Sequence, residues 1–428
     1  MLAFVCQLAA FGSAPDGGRA ARQSADDLIL SQPIEDPDGR AMRMFYEALM
    51  RTDRGEESAV TRIIHYGDSH VAADILTGEL RRRFQRGFGD AGPGFIFPVR
   101  PWRWYSRAGI ESEASAGWSK DGLGQGLSAR ENLLGMAGVS FTAYRPGERF
   151  HLRAVSNRFE LYLMKQPGGA VVDVLLDGEP YFNRVSLSAP GIEPLYLTLR
   201  AGRYGAHSIE LRTVSPGPAR IFGVVAESDR AGLVYDAFGL NGARADRPLK
   251  WDRELLEDNL KRRAPDLIII AYGSNEAGDT GLDLTAYASD FSALLARLRD
   301  AAPSASFLVI SPPDRAALNG SGWRAINRLP RLVAAQRRAA LDRGAAFWDL
   351  FQAMGASGSI DRWALRLPPL AQRDRVHLTA QGYGIVAQAL YKEMMRGYVW
   401  ALIGSRERTD EENRIQDGDS GQSILERD

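Results

Sequence analysis

Residues 266–272 read DLIIIAY, and Gly273-Ser274-Asn275 follows at once. A strand with one wet face alternates apolar and polar residues, so an unbroken apolar run of this length predicts a parallel strand covered on both faces. The pattern on either side agrees. Downstream, Leu284, Tyr287, Phe291, Leu295 and Leu298 recur every three or four residues, the stripe of a helix that packs on one side. Residues 306–311 (SFLVIS) form the next strand and stop at Pro312-Pro313. A helix around 326–341, a strand at 345–350 and a last helix over about 379–395 complete that half. Upstream, residues 61–66 (TRIIHY) read as another buried strand, with Leu76, Leu80 and Phe84 marking a helix behind it. Strand and helix in alternation predict an α/β fold, a parallel sheet with helices on both faces.

Residues 100–227 follow a different rule. Phe150, Leu152 and Ala154 alternate with polar neighbours, as do Leu195, Leu197 and Leu199, and then Ile209 and Leu211. Val172, Val174 and Leu176 run into Asp177-Gly178, a hairpin turn signal. Short strands at close intervals, with Gly- and Pro-rich turns, predict an all-β sandwich. The domain reading is therefore an α/β unit over 36–99, an inserted β-sandwich over 100–227 and the rest of the α/β unit over 228–404. Residues 405–428 are dominated by charge, Gly, Ser and Gln, and are expected to be disordered.

Composition removes several functions. The chain has 428 residues, 45% hydrophobic and 25% charged, the profile of a globular protein of two or three domains. Its 53 basic and 53 acidic residues balance, so no overall field draws nucleic acid or an anionic membrane. No apolar run approaches the ~20 residues of a transmembrane helix. Cys6 is the only cysteine, which excludes an intrachain disulfide and a cysteine-ligated zinc, and no His–carboxylate cluster has metal spacing. Residues 1–35 read as a truncated signal and linker: residues 2–11 (LAFVCQLAAF) are apolar and lead to Gly12-Ser13-Ala14, without a basic n-region. Export to the periplasm or beyond is the expectation.

Four sites carry candidate chemistry. Gly67-Asp68-Ser69-His70 stands where the first strand ends and a helix begins, the place where parallel sheets hold their ligands. A serine there has backbone N–H groups beside it, directed at any developing negative charge. In Asp374-Arg375-Val376-His377 a carboxylate three residues before the histidine can turn back onto Nδ1, leaving Nε2 free to accept a proton. Asn275, at the carboxyl edge of the strongest strand, can donate its amide to an oxyanion. Gly242, in the Gly239-Leu240-Asn241-Gly242 loop, can bring a backbone N–H close to a substrate.

Together and in this order, these residues resemble the SGNH (GDSL-type) hydrolase superfamily, named for a serine, a glycine, an asparagine and a histidine in four blocks. The resemblance covers roughly residues 60–98 and 228–400 and implies a flavodoxin-like sheet. It makes Ser69 the nucleophile, His377 the base and Asp374 its partner, with Ser69, Gly242 and Asn275 forming the oxyanion hole. His70 departs from the pattern, which has leucine there. The segments HYGDSH and YDAFGLNGA, with the inserted sandwich, look like those of bacterial peptidoglycan O-acetylesterases that carry a carbohydrate-binding-type insertion. The implied function is a serine esterase that removes acyl groups, acetyl above all, from an O-acylated glycan through an acyl-enzyme, with no cofactor. A polysaccharide O-acetyltransferase would use the same residues, and a non-catalytic glycan-binding protein would keep the fold alone.

Other residues carry plainer expectations. Trp102 and Trp104, with Tyr105 and Trp118, either stack on sugar rings or fill a seam between domains. His65 is expected to be a buried, hydrogen-bonded strand residue, and His151 and His207 sheet or surface residues. Glu276 and Asp279 are expected to be solvated loop carboxylates. Nothing in the sequence fixes an oligomeric state.

Overall fold

The computed structural model describes residues 29, 31–102, 105, 107–124, 126–127, 131–320 and 322–422. The leader expected over residues 1–28, and Trp104, lie outside the described residues. Five parallel strands form the central sheet: β1 (Val60–Gly67), β2 (Gly232–Gly239), β3 (Leu267–Ala271), β4 (Ser306–Ile310) and β5 (Ala346–Trp348), in the order β2-β1-β3-β4-β5. This is the flavodoxin-like order, and its switch point lies between β1 and β3.

Both faces of the sheet are covered, which is why its strands read as unbroken apolar runs. Side chains alternate between the faces. Ile63, Ile269 and Leu308 pack with Phe45, Leu80, Phe84, Leu390 and Met394 from the helices Arg43–Asp53, Leu76–Phe88 and Ala380–Gln422. Ile64, Ile268, Ile270 and Phe307 pack on the other face with Leu256, Leu260, Phe291, Leu295 and Leu332 from the helices Arg253–Arg263, Leu284–Ala301 and Leu329–Asp342. Asp252 and Asp283 cap two of these helices by accepting from Leu255 N–H and Thr285 N–H. The free edge at β5 is covered by Glu35, which exchanges two backbone hydrogen bonds with Phe347 (2.8 and 2.9 Å).

An antiparallel sheet of nine strands, from Gly94–Ile96 to Ala219–Glu227, is inserted between β1 and β2. It differs from the short strands that the sequence pattern implies. Two strands are long, Arg149–Lys165 and Glu193–Thr213, and run through both halves of the sheet. A bulge between Ser156 and Arg158 breaks their register, so one strand turns a corner where the pattern shows two. Phe150, Leu152, Ile209 and Leu211 on one side of that corner share a core with Phe159, Leu161, Leu163 and Ile221 on the other.

The insertion is fixed to the α/β unit by buried polar contacts. Tyr66 of β1 donates to Met136 O (2.8 Å), and Arg263 pairs with Asp236 (2.6 Å) and with Glu227 at the end of the inserted sheet. The last helix runs to Gln422, so residues 405–422, expected to lack order, extend it. Extension adds one hydrogen bond per residue to a helix already nucleated, which composition alone does not weigh. Among the described residues no helix is long and apolar enough to cross a membrane.

Candidate active site

The turn that carries Ser69 is built by close approach. Gly67 ends β1, Asp68 follows, and Ser69 opens the short helix Ser69–Ala72. A Cβ on Gly67 would meet Val71 Cγ2 at 2.5 Å, and one on Gly239 would meet Ala72 N at 2.2 Å. These two glycines let the helix lie across the ends of β1 and β2. Asp68 is 1% exposed and caps the helix by accepting from His70 N–H (3.0 Å). Burial pushes its carboxyl up to about 6, against the opposing pull of the N–H groups of His70 and Ser274 and the charges of His377 and Arg315.

His377 meets Ser69 from the far end of the chain. Its Nε2 lies 2.8 Å from Ser69 Oγ, and its Nδ1 lies 2.6 Å from Asp374 Oδ2. An ionised carboxylate only accepts, so Nδ1 carries the proton and Nε2 offers its lone pair to the hydroxyl. The other carboxylate oxygen accepts from the N–H groups of Val376 and His377, both at 3.0 Å. Burial works against the Asp374 charge, but these bonds and the His377 ring hold its carboxyl below the usual carboxylate range. Arg375 takes the left-handed conformation (φ +54°) that turns the loop back on itself.

On the other side of Ser69, two loops are stapled together. Leu240 N–H donates to Gly67 O (3.0 Å), holding the Gly242 loop to the end of β1. Asn275 Nδ2 donates to Ala243 O (2.8 Å), and Glu276 Oε1 accepts from Ala245 N–H (2.7 Å). Gly242 has φ +69°, the left-handed region that favours glycine. The second amide proton of Asn275 is left over, and among the described residues the N–H groups of Ser69 and Gly242 meet no acceptor.

Glu276 corrects its sequence-based expectation: it is 2% exposed, buried under the loop it anchors. Burial pushes its carboxyl up to about 7, with Ala245 N–H opposing. Asp279 pairs instead with Arg244 (2.8 Å). Sequence reasoning also missed His70, whose Nδ1 lies 2.9 Å from Tyr383 Oη and whose ring packs on that of His377, centroids 5.3 Å apart. Burial, then the neighbouring His377 and Arg315, lowers its pKa to about 3, so His70 stays neutral beside His377. Arg315 donates to Ser274 O, bracing the turn that carries Asn275. Nothing local marks these residues, because their roles come from what the fold packs against them.

Trp102 packs edge-to-face on Phe97 and Tyr105, with ring centroids 6.4 and 5.7 Å away, in an aromatic cluster at the start of the insertion. His65 is fully buried with Nδ1 2.9 Å from Tyr235 Oη, and burial lowers its pKa to about 3. His207 pairs with Asp177 (2.6 Å) far along the inserted sheet. Among the described residues no group of three or more His, Cys, Asp or Glu side chains could hold a metal ion.

Residues 204–385 match the GDSL-like Lipase/Acylhydrolase family. The match holds Gly242, Asn275, Asp374 and His377, and Ser69 joins them through the fold. A solved structure described as a peptidoglycan O-acetylesterase is 24% identical, with a TM-score of 0.71, covering 87% of this chain and 99% of its own. A family two carbohydrate esterase from Cellvibrio japonicus is 14% identical, with a TM-score of 0.28, over 68% of this chain and 98% of its own. No curated protein sequence matches the chain. The sheet order and the inserted antiparallel sheet give this chain the fold of that peptidoglycan O-acetylesterase structure, and residues 204–385 resemble the GDSL-like Lipase/Acylhydrolase family.

Proposed function

We propose that the protein is a serine esterase that removes acetyl groups from O-acetylated peptidoglycan. The observation that carries the chemistry is the chain Asp374–His377–Ser69, linked at 2.6 and 2.8 Å. Ser69 Oγ attacks the ester carbonyl carbon while His377 Nε2 takes its proton. The carbonyl oxygen becomes an oxyanion held by the N–H groups of Ser69 and Gly242 and the amide of Asn275. His377 then protonates the departing sugar oxygen, the carbon–oxygen bond breaks, and an acetyl group stays on Ser69. Water attacks that ester as His377 takes its proton, acetate leaves, and the proton returns to Ser69 Oγ. Asp374 fixes the tautomer throughout and steadies the imidazolium.

The substrate reading is supported by the neighbour described as a peptidoglycan O-acetylesterase, which matches this chain across the insertion as well as the α/β unit. In this reading the inserted unit, residues 100–227, engages the polymer. A wall substrate also suits export, in keeping with the apolar residues 2–11 and the small residues after them. The test is acetate release from O-acetylated peptidoglycan and from acetylated xylan, measured side by side. Faster release from peptidoglycan is expected. No release from peptidoglycan, with turnover of xylan or of a small ester, would overturn the substrate and keep the chemistry.

A further inference from the structure

We infer that a groove beside Ser69, along the helix Leu76–Phe88, holds the glycan strand that flanks the acetylated sugar; this rests on the function proposed above. The groove encloses about 1030 Å³, far more than an acetyl group fills. Its lining does not include Ser69 or His377 but comes close to both in the chain. Ala73 on its lining follows the helix Ser69–Ala72, so at ~1.5 Å per residue it sits ~6 Å from Ser69. Ala380, also on the lining, is three residues past His377 and so within ~11 Å of it along the chain. From there the groove follows Ile75, Glu79, Arg82 and Arg86, one face of the helix, for ~16 Å. Residues 107–109, at the start of the insertion, line it too, so the insertion contributes directly to this surface.

The lining selects a hydrophilic polymer over an acyl chain. Among the described residues Ile75 is its only large hydrophobic side chain, whereas a site for a fatty acyl group needs apolar walls. The rest are charged, amide or small residues, which can hydrogen-bond hydroxyls and leave room for rings. Part of the lining is held rigidly. Asp74 and Arg81 form a buried pair at 2.8 Å, and Arg107 donates to the carbonyls of Pro93 and Tyr235. Arg82 is engaged by Glu79, but Arg86 is exposed and meets no carboxylate among the described residues. Four arginines against three carboxylates leave the lining with one excess positive charge, suited to a glycan that carries carboxylates. A free guanidinium at the far end of the groove can pair with one of them.

Two variants of the full chain test this. A Cβ on Gly384, which lines the groove near Ala380, meets nothing within 4 Å, so Gly384→Trp starts a bulky side chain into the groove from an open position. Arg86→Glu reverses the free charge at the far end. The readout is kcat/KM for acetate release from O-acetylated peptidoglycan divided by kcat/KM for an aryl acetate, with a thermal melt of each variant. Gly384→Trp is expected to lower that ratio at least ~10-fold by excluding remote contacts that a polymer uses and a small ester lacks. Arg86→Glu is expected to lower it about 3-fold at low ionic strength and less at 0.5 M salt, because the contact is an exposed charge pair. A ratio unchanged in both variants overturns the groove while leaving the esterase intact. Wild-type protein inert on peptidoglycan but active on the aryl ester overturns the substrate reading and the groove together.

Discussion

The two sides of Ser69 are built on opposite principles. The His377 side is local and wet: Asp374 and His377 have side chains 44% and 32% exposed, and the hydrogen bonds between them lie within one short loop. The Asn275 side is distant in sequence and dry: Asp68 and Glu276 are buried, and Asn275 and Glu276 each reach back more than thirty residues to hold the Gly242 loop. The Asp374–His377 hydrogen bonds therefore come from four consecutive residues, with His70 and the Asp361 partner of Arg375 bracing them from outside, whereas the Gly242–Asn275 side is held wholly by the tertiary fold. Damage to the first should cost chemistry alone. Damage to the second should cost chemistry and stability together.

The largest effect should come from the wet side. Asp374→Asn favours the wrong His377 tautomer and should lower kcat by ~10⁴-fold, the usual penalty in a serine triad. The melting temperature should stay within a degree or two of wild type, because the side chain is on the surface. A large drop in melting temperature would break the comparison by showing that the loop is structural. Asn275→Ala comes next, with kcat lower by ~10²–10³ and KM little changed. Here stability should fall as well, by about 0.5–1.5 kcal/mol, because Ala243 O loses its donor. A rise in KM with kcat intact would make Asn275 a binding residue.

The dry side should also carry a pH signature. Burial raises Glu276 from the ordinary 4.5 to about 7, so between those values the folded protein keeps a proton that the unfolded chain has released. The stability this contributes is fully present below pH 4.5 and is lost as pH rises through 7. Glu276→Gln cannot ionise and still offers an acceptor to Ala245 N–H. Thermal melts of the two proteins from pH 4 to 8 should therefore diverge, with the variant gaining up to about 3 kcal/mol relative to wild type by pH 8. Parallel curves would show that Glu276 is ionised or solvated throughout. The smallest effect is expected from Tyr383→Phe, which deprives His70 Nδ1 of its partner behind the base. A fall in kcat of about 2- to 5-fold, under 1 kcal/mol, with KM unchanged would fit a positioning role.

The same contrast explains what the sequence discloses. Ser69 after a buried strand and Asp374 three residues before His377 are arrangements complete within a few residues, so pattern and spacing reveal them. The parallel sheet is equally plain, since its strands are covered on both faces and Leu267–Ala271 carries no polar residue. Glu276 reads as solvated because nothing near it shows that residues 243–245 will close over it. His70 reads as a departure from a motif because Tyr383, its partner, is 313 residues away. In the insertion, alternation locates the strands but cannot show that Arg149–Lys165 continues around a corner through a bulge. The helix beyond residue 405 is hidden for a related reason: its composition resists starting a helix, not extending one.

The claim on which the rest depends is that Ser69 becomes covalently acylated. Treatment with an aryl sulfonyl fluoride, followed by mass spectrometry of the intact protein and its peptides, tests it most directly. A single sulfonyl adduct on the peptide that holds Ser69 is expected, formed in step with loss of esterase activity and absent from Ser69→Ala. An adduct elsewhere, or wild-type-like turnover by Ser69→Ala, would contradict the account.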